Sequence, residues 1–147
     1  INFPNEIVFD NKRNCLYFIE AFDFIRKIDI ETNILFSISG NLIFPRIFTP
    51  DGNFAKNSSL LKVQSLTIDE KKDFLYFYER ERFVFVDNSR IRKINLNSTN
   101  PIFETIAGNN NFGFTSDENL AKNSSLDLIQ SITLDFQGNI YFIERLS

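Results

Sequence analysis

Leu16-Tyr17-Phe18-Ile19-Glu20 returns as Leu75-Tyr76-Phe77-Tyr78-Glu79 and again as Ile140-Tyr141-Phe142-Ile143-Glu144. A strand with one solvated face alternates apolar and polar residues, and these runs do not alternate. Each is apolar on both sides, which marks a strand buried on both faces. Working outward, Ile7-Val8-Phe9-Asp10, Leu66-Thr67-Ile68-Asp69 and Ile132-Thr133-Leu134-Asp135 precede the three runs, and each ends in Asp. Ile25-Arg26-Lys27-Ile28-Asp29 follows the first run, and Ile91-Arg92-Lys93-Ile94-Asn95 follows the second. The longest match is FTPDGNFAKNSSL at 48–60 against FTSDENLAKNSSL at 114–126, which differ at only three positions. The first two aromatic runs are 59 residues apart and the two long matches 66 apart. The difference is an insertion in the second copy, about residues 80–86.

Each copy holds four short runs rich in β-branched and aromatic residues, separated by turn residues. In the second copy they are about 64–69, 74–79, 90–96 and 102–107. For the second strand of that copy, the spacing to Asp69 favours 74–79 over 83–87. Connections of two to six residues suit antiparallel hairpins rather than helical crossovers. One copy therefore reads as a four-stranded antiparallel meander. A meander whose second strand is apolar on both sides can be buried by stacking each small sheet between its neighbours, as in a β-propeller. A β-solenoid repeat is normally shorter, and a β-sandwich gives no reason for a four-strand period. The expected fold is all-β: a partial propeller of four-stranded antiparallel blades.

Composition bounds the function. The 147 residues are 43% hydrophobic and 24% charged, as in a folded domain, and the net charge of −3 disfavours nucleic acid as a partner. The absence of His excludes His-ligated metals and Ser-His-Asp triads within this chain. A single Cys excludes an internal disulfide. No apolar run is long enough to span a bilayer as a helix. The chain begins at Ile1 without a signal-like start, and it stops after the second run of a third copy. It is expected to be a piece of a longer polypeptide whose remaining blades complete the fold.

Residues 106–144, IAGNNNFGFTSDENLAKNSSLDLIQSITLDFQGNIYFIE, resemble the NHL-repeat β-propellers. That family has an Ile-Ala-Gly strand end, a Gly-Asp-Gly loop, a Val-Asp turn and a Gly-Asn-Ile-Tyr strand. Its Asn-x-Arg-Ile-Arg-Lys-Ile element is matched by Asn88 to Ile94. The loop departs from the pattern, with Pro50-Asp51-Gly52 in the first copy and Ser116-Asp117-Glu118 in the second. The resemblance implies about two and a half blades of a six-bladed wheel. Blade 1 would span 1–39, an inter-blade loop 40–63, blade 2 64–107, a second loop 108–130, and the start of blade 3 131–147. It also implies a non-catalytic interaction or scaffold module that binds proteins through rim loops and needs no cofactor. Two alternatives come from other classes: a metal-dependent propeller lyase or hydrolase with ligands outside this segment, and RNA binding.

Candidate residues follow. Asp10, Asp69 and Asp135 are expected to be turn residues accepting backbone N–H bonds rather than a cation ring. Glu20, Glu79 and Glu144 are periodic carboxylates, expected as solvated or Arg-paired strand ends rather than Ca²⁺ ligands. Arg80, Arg82, Phe83, Arg90 and Arg92 interleave base and aromatic and form the candidate interaction surface, the same strip (Arg80 to Lys93) that RNA would use. The two long loops share that role. Asn57, Asn97 and Asn123 head Asn-x-Ser/Thr sequons. They are glycan candidates if the protein is secreted, and they tilt the compartment toward extracellular or a membrane-protein ectodomain. Cys15 reads as a small buried hydrophobe.

Overall fold

The computed structural model describes the chain except residues 42–47, 84, 85, 110, 112, 114, 116, 146 and 147, and it describes side chains outside 81–88. The described residues form ten strands and two 3-10 turns. Sheet 1 is β1 (Pro4–Asp10), β2 (Cys15–Glu20), β3 (Phe24–Asp29) and β4 (Leu35–Ser39), in that order and antiparallel throughout. Sheet 2 repeats it with β5 (Ser65–Asp69), β6 (Phe74–Phe83), β7 (Val86–Asn95) and β8 (Phe103–Ala107). Sheet 3 has two strands, β9 (Leu128–Leu134) and β10 (Ile140–Arg145). The 3-10 turns, Ala55–Asn57 and Ala121–Asn123, fall in the two copies of Ala-Lys-Asn. The fold is all-β with antiparallel four-stranded sheets.

The tight turns use residues that tolerate a left-handed backbone. Asn14, Asp73 and Gly138 occupy the same place in the turns after β1, β5 and β9, with φ of 49°, 61° and 84°. Asn, Asp and Gly are the residues that adopt this region at least cost. Gly40 and Gly108 each follow a fourth strand at φ 115° and 98°. A Cβ at Gly108 would lie 2.8 Å from the Arg90 Cα, and one at Gly40 2.8 Å from the Phe24 Cα. At both places the loop leaves the sheet against the third strand, at Phe24 of β3 and Arg90 of β7, where only glycine fits.

Sheet 2 is packed on both sides. Toward sheet 1, Leu66, Leu75, Phe77, Ile94 and Phe103 join Cys15, Tyr17, Ile19 and Ile25, with Ala55, Leu60 and Val63 of the connecting loop. Toward sheet 3, Tyr76, Tyr78, Ile91 and Ala107 join Leu126, Ile129 and Ile132. Leu75 to Tyr78 are thus four successive buried residues on alternating faces. Each contributes roughly 1.5–3 kcal/mol by leaving water. The first strands run side by side, with β5 against β1 on one side and β9 on the other. Ser65 joins all three, because its Oγ donates to Glu6 Oε1 at 3.1 Å and accepts the Ile132 amide at 3.2 Å.

β10 differs from its counterparts. Tyr141 and Ile143 are 56% and 62% exposed and Phe142 on the opposite face 38%, so the run expected to be buried on both faces is open on one and only partly covered on the other. The insertion around 80–86 also has a definite form. It lengthens β6 and β7 rather than breaking them, and the ladder continues from Arg80↔Ser89 to Phe83↔Val86. In sheet 1 the same hairpin turns after Glu20. Four added rungs carry the second hairpin about 13 Å further, at about 3.3 Å per residue.

Candidate interaction surface

Each strand-ending Asp organises its own turn. Asp10 Oδ1 accepts the Arg13 amide at 3.1 Å, Asp69 Oδ1 the Lys71 and Lys72 amides at 3.0 Å, and Asp135 Oδ1 the Gln137 and Asn139 amides at 2.9 and 2.8 Å. The turns are also laced to one another by cations. Lys12 and Arg13 of sheet 1 reach Asp73 of sheet 2, Lys12 at 2.7 Å. Lys71 and Lys72 of sheet 2 reach the carbonyls of Phe136 and Gln137 in sheet 3 at 3.1 and 3.2 Å. Bonds from Lys12 and Arg13 hold the Asp73 carboxyl down at about 2. Its folded pKa is depressed, so the stabilisation is full above the unfolded carboxyl range near 4 and is lost as pH falls through about 2. NMR titration of Asp73 is expected to give a value near 2, rising toward the ordinary range in Lys12→Ala/Arg13→Ala. An ordinary value in both proteins would mean that the sheet 1 and sheet 2 turns do not meet.

Glu20, Glu79 and Glu144, at equivalent positions of the three second strands, form a repeated clasp. Glu20 Oε1 accepts the Asn2 amide, Glu79 Oε2 the Leu61 amide and Glu144 Oε1 the Asp127 amide, at 2.8, 3.2 and 2.8 Å. Each ties the chain entering a sheet to its second strand. Glu79 also holds two arginines, Arg90 Nε at 3.0 Å and Arg92 Nη1 at 2.9 Å. Arg92 stacks on Phe103 with its guanidinium 4.4 Å from the ring centroid, and Arg90 lies 3.6 Å from that of Phe48. Burial lowers the Arg90 pKa, and the Glu79 charge opposes that shift.

Arg90 and Arg92 therefore differ from the surface role expected of them. Both are buried, and the Arg92 side chain is fully enclosed. They brace the sheet from inside, and an RNA-binding strip cannot include them in this fold.

A residue the sequence reading did not single out completes this network. Asp51 lies on the loop after sheet 1 and reaches sheet 2, where it bonds Arg92 and Thr105, and also bonds Lys122 of the second loop. Partial burial alone would raise its pKa, but the bonds from Thr105, Lys122 and Arg92 outweigh that and bring it to about 2. The available signal was its recurrence as Asp117 in the long match.

Arg80 begins the extended β6–β7 arm, where its amide donates to the Leu61 carbonyl at 3.0 Å. With Gln64 it faces its repeat counterparts Arg145 and Gln130 across a cleft of about 370 Å³. Arg82 and Phe83 sit on the arm by backbone register, and their side chains lie outside the described residues. Asn57 and Asn123 are exposed at the ends of the 3-10 turns. Asn97 is exposed too, but its amide is tied to Asp73 and Arg13. Cys15 is buried between sheets, which raises its thiol pKa. Among the described residues no three Cys, Asp or Glu come together as a metal site, and no helix is long and apolar enough to cross a membrane. No protein-family model and no curated protein matches the chain.

Proposed function

We infer that the chain forms part of an NHL-type β-propeller and acts as a non-catalytic interaction module whose partners are proteins bound at the rim. The observation that supports this is that the two open faces of the stack are halves of one repeated interface. Sheet 2 packs on sheet 1 through Leu66, Leu75, Ile94 and Phe103. The same repeat positions in sheet 1 are Ile7, Leu16, Ile28 and Leu35, on the side away from sheet 2, and Ile7 and Leu35 are exposed. At the other end, Tyr141 and Ile143 repeat Tyr76 and Tyr78 and are exposed. A unit with one half-interface at each end propagates head to tail, and the series forms a ring where the rotation between units closes. Closed rings of this kind have about 4–8 sheets.

Such a ring is rigid, so binding falls to what projects from it. The β6–β7 arm projects furthest beyond its sheet-1 counterpart and carries Arg80, Arg82 and Phe83. Deleting residues 80–86 leaves the three-residue turn of the first copy. The shortened chain is expected to keep its circular dichroism and urea midpoint and to lose the protein partner that the intact chain binds. Equal binding by both would contradict the arm as the contact.

A further inference from the structure

Asp51 is seated in sheet 2 by the loop of the preceding sheet, and sheet 1 repeats the residues that hold it. Asp51 Oδ1 accepts from Arg92 Nη2 at 3.0 Å, from the Thr105 amide at 2.9 Å and from Thr105 Oγ1 at 2.7 Å. Its Oδ2 accepts from Lys122 Nζ at 3.0 Å. The loop then runs antiparallel to the edge strand β8. The Gly52 amide donates to the Phe103 carbonyl, the Phe103 amide donates to the Asn53 carbonyl, and Phe54 pairs with Ile102. An aspartate with an apolar residue three positions on is thus laid against an edge strand, the geometry of an added strand.

Arg92, Thr105 and Lys122 have Arg26, Ser37 and Lys56 as their repeat counterparts. Arg26 and Ser37 are cross-strand partners in β3 and β4, and the ladder shifts just before Arg26 as it does just before Arg92. Lys56 and Lys122 are the middle residues of the two 3-10 turns. Glu20 lies 3.4 Å from Arg26, as Glu79 lies 2.9 Å from Arg92. The difference is on the other side of the arginine. Arg26 Nη1 donates to Ser37 Oγ at 2.8 Å, and no carboxylate among the described residues bonds Ser37 or Lys56. Ser37 and Lys56 line one cleft of about 320 Å³ with Phe36 and Phe54. Ile34, the counterpart of Ile102, is exposed beside them, as are Leu35 and Phe36.

The stacking says which sheet supplies the aspartate. Sheet 1 packs on sheet 2 through Cys15, Tyr17, Ile19 and Ile25, and its trailing loop passes onto β8. Moved back by one repeat, a sheet covering Ile7 and Leu35 passes its trailing loop onto β4. Asp117 of another copy is not that aspartate, because the sheet that follows its loop is the chain's own β9–β10.

We propose that a further sheet of this repeat covers the outer face of sheet 1, and that its trailing loop carries an Asp-x-x-apolar segment whose carboxylate is seated by Arg26, Ser37 and Lys56. The loop is acidic where its seat is basic, and β4 offers it an edge. This rests on the head-to-tail reading of the two open faces and adds the polar contact that sets the register of the covering sheet.

The test places a second copy of residues 1–59 in frame ahead of Ile1. Those residues then lead into sheet 1 as they already lead into sheet 2. Hydrogen exchange reads the Ser37 amide, and hydroxyl-radical footprinting reads the Ile7 and Leu35 side chains. In the extended chain the Ser37 amide is expected to exchange at least about tenfold more slowly than in the intact chain, with Ile7 and Leu35 protected. Asp51→Ala in the added copy, or Lys56→Glu in the original one, is expected to remove most of that slowing and to leave Ile7 protected. Protection of Ile7 and Leu35 with Ser37 exchanging as in the intact chain would overturn the seat and leave the stacking standing. So would a slow Ser37 amide that is indifferent to both substitutions. Ile7, Leu35 and Ser37 all as open as in the intact chain would overturn the stacking and the seat together.

Discussion

Glu79→Gln is expected to destabilise the protein by about 3–5 kcal/mol, the cost of breaking a buried ion-pair network from one side. The Glu79 side chain is fully buried and holds Arg90, Arg92 and the Leu61 amide. Glutamine keeps the shape and removes the charge, so two buried guanidinium groups lose their shared counter-ion. Arg92 would keep Asp51 as a counter-ion, whereas Arg90 would face a neutral amide oxygen, the Thr49 carbonyl at 3.3 Å and the Phe48 ring, with no carboxylate bonded to it among the described residues. Glu104→Gln is the contrasting case. Glu104 pairs with Lys93 at 3.1 Å, but its side chain is 57% exposed, and such pairs are worth about 0–1 kcal/mol. Urea unfolding at neutral pH, followed by circular dichroism, measures both. Similar losses for the two substitutions would contradict the buried network.

The strands were legible because their signals are local. Apolar runs bounded by Asp-led turns marked the hairpins, and Asn14, Asp73 and Gly138 are residues suited to the left-handed turn position each occupies. Packing on both sides of sheet 2 followed from Leu75-Tyr76-Phe77-Tyr78 lacking any polar break. The ion pairs were not legible. Arg92 finds Glu79 thirteen residues away and Asp51 forty-one residues away, across a loop that belongs to the previous repeat. Read along the chain, Arg90-Ile91-Arg92-Lys93 looks like an exposed basic strip; folded, its two arginines turn toward a carboxylate on the adjacent strand. Glu79 and Arg92 were each recognised as periodic, and the missing step was to pair one period with the other. Burial of the third run depends on neighbours rather than on the run itself, which is why Ile140 to Glu144 resembles its counterparts in sequence and differs in exposure.

The second large effect lies at the centre of the stack. Phe77 and Tyr78 are adjacent and fully buried, and they point into different cores. Phe77 packs with sheet 1 residues and sits 5.5 Å from Phe103, ring to ring. Tyr78 packs with sheet 3 residues, and its hydroxyl meets Ser89 Oγ at 3.2 Å. Truncating a buried aromatic costs about 3–5 kcal/mol through lost transfer energy and the cavity left behind. In an ordinary sheet with one wet face, neighbouring positions differ sharply, because one of the two side chains is in solvent. Equilibrium urea unfolding of Phe77→Ala and Tyr78→Ala, each against the intact chain, therefore measures whether sheet 2 is enclosed on both sides. Stacking predicts losses of similar size, each several kcal/mol. A loss below about 1 kcal/mol for either one would mean that its face is open to water, and the stacked arrangement would be wrong.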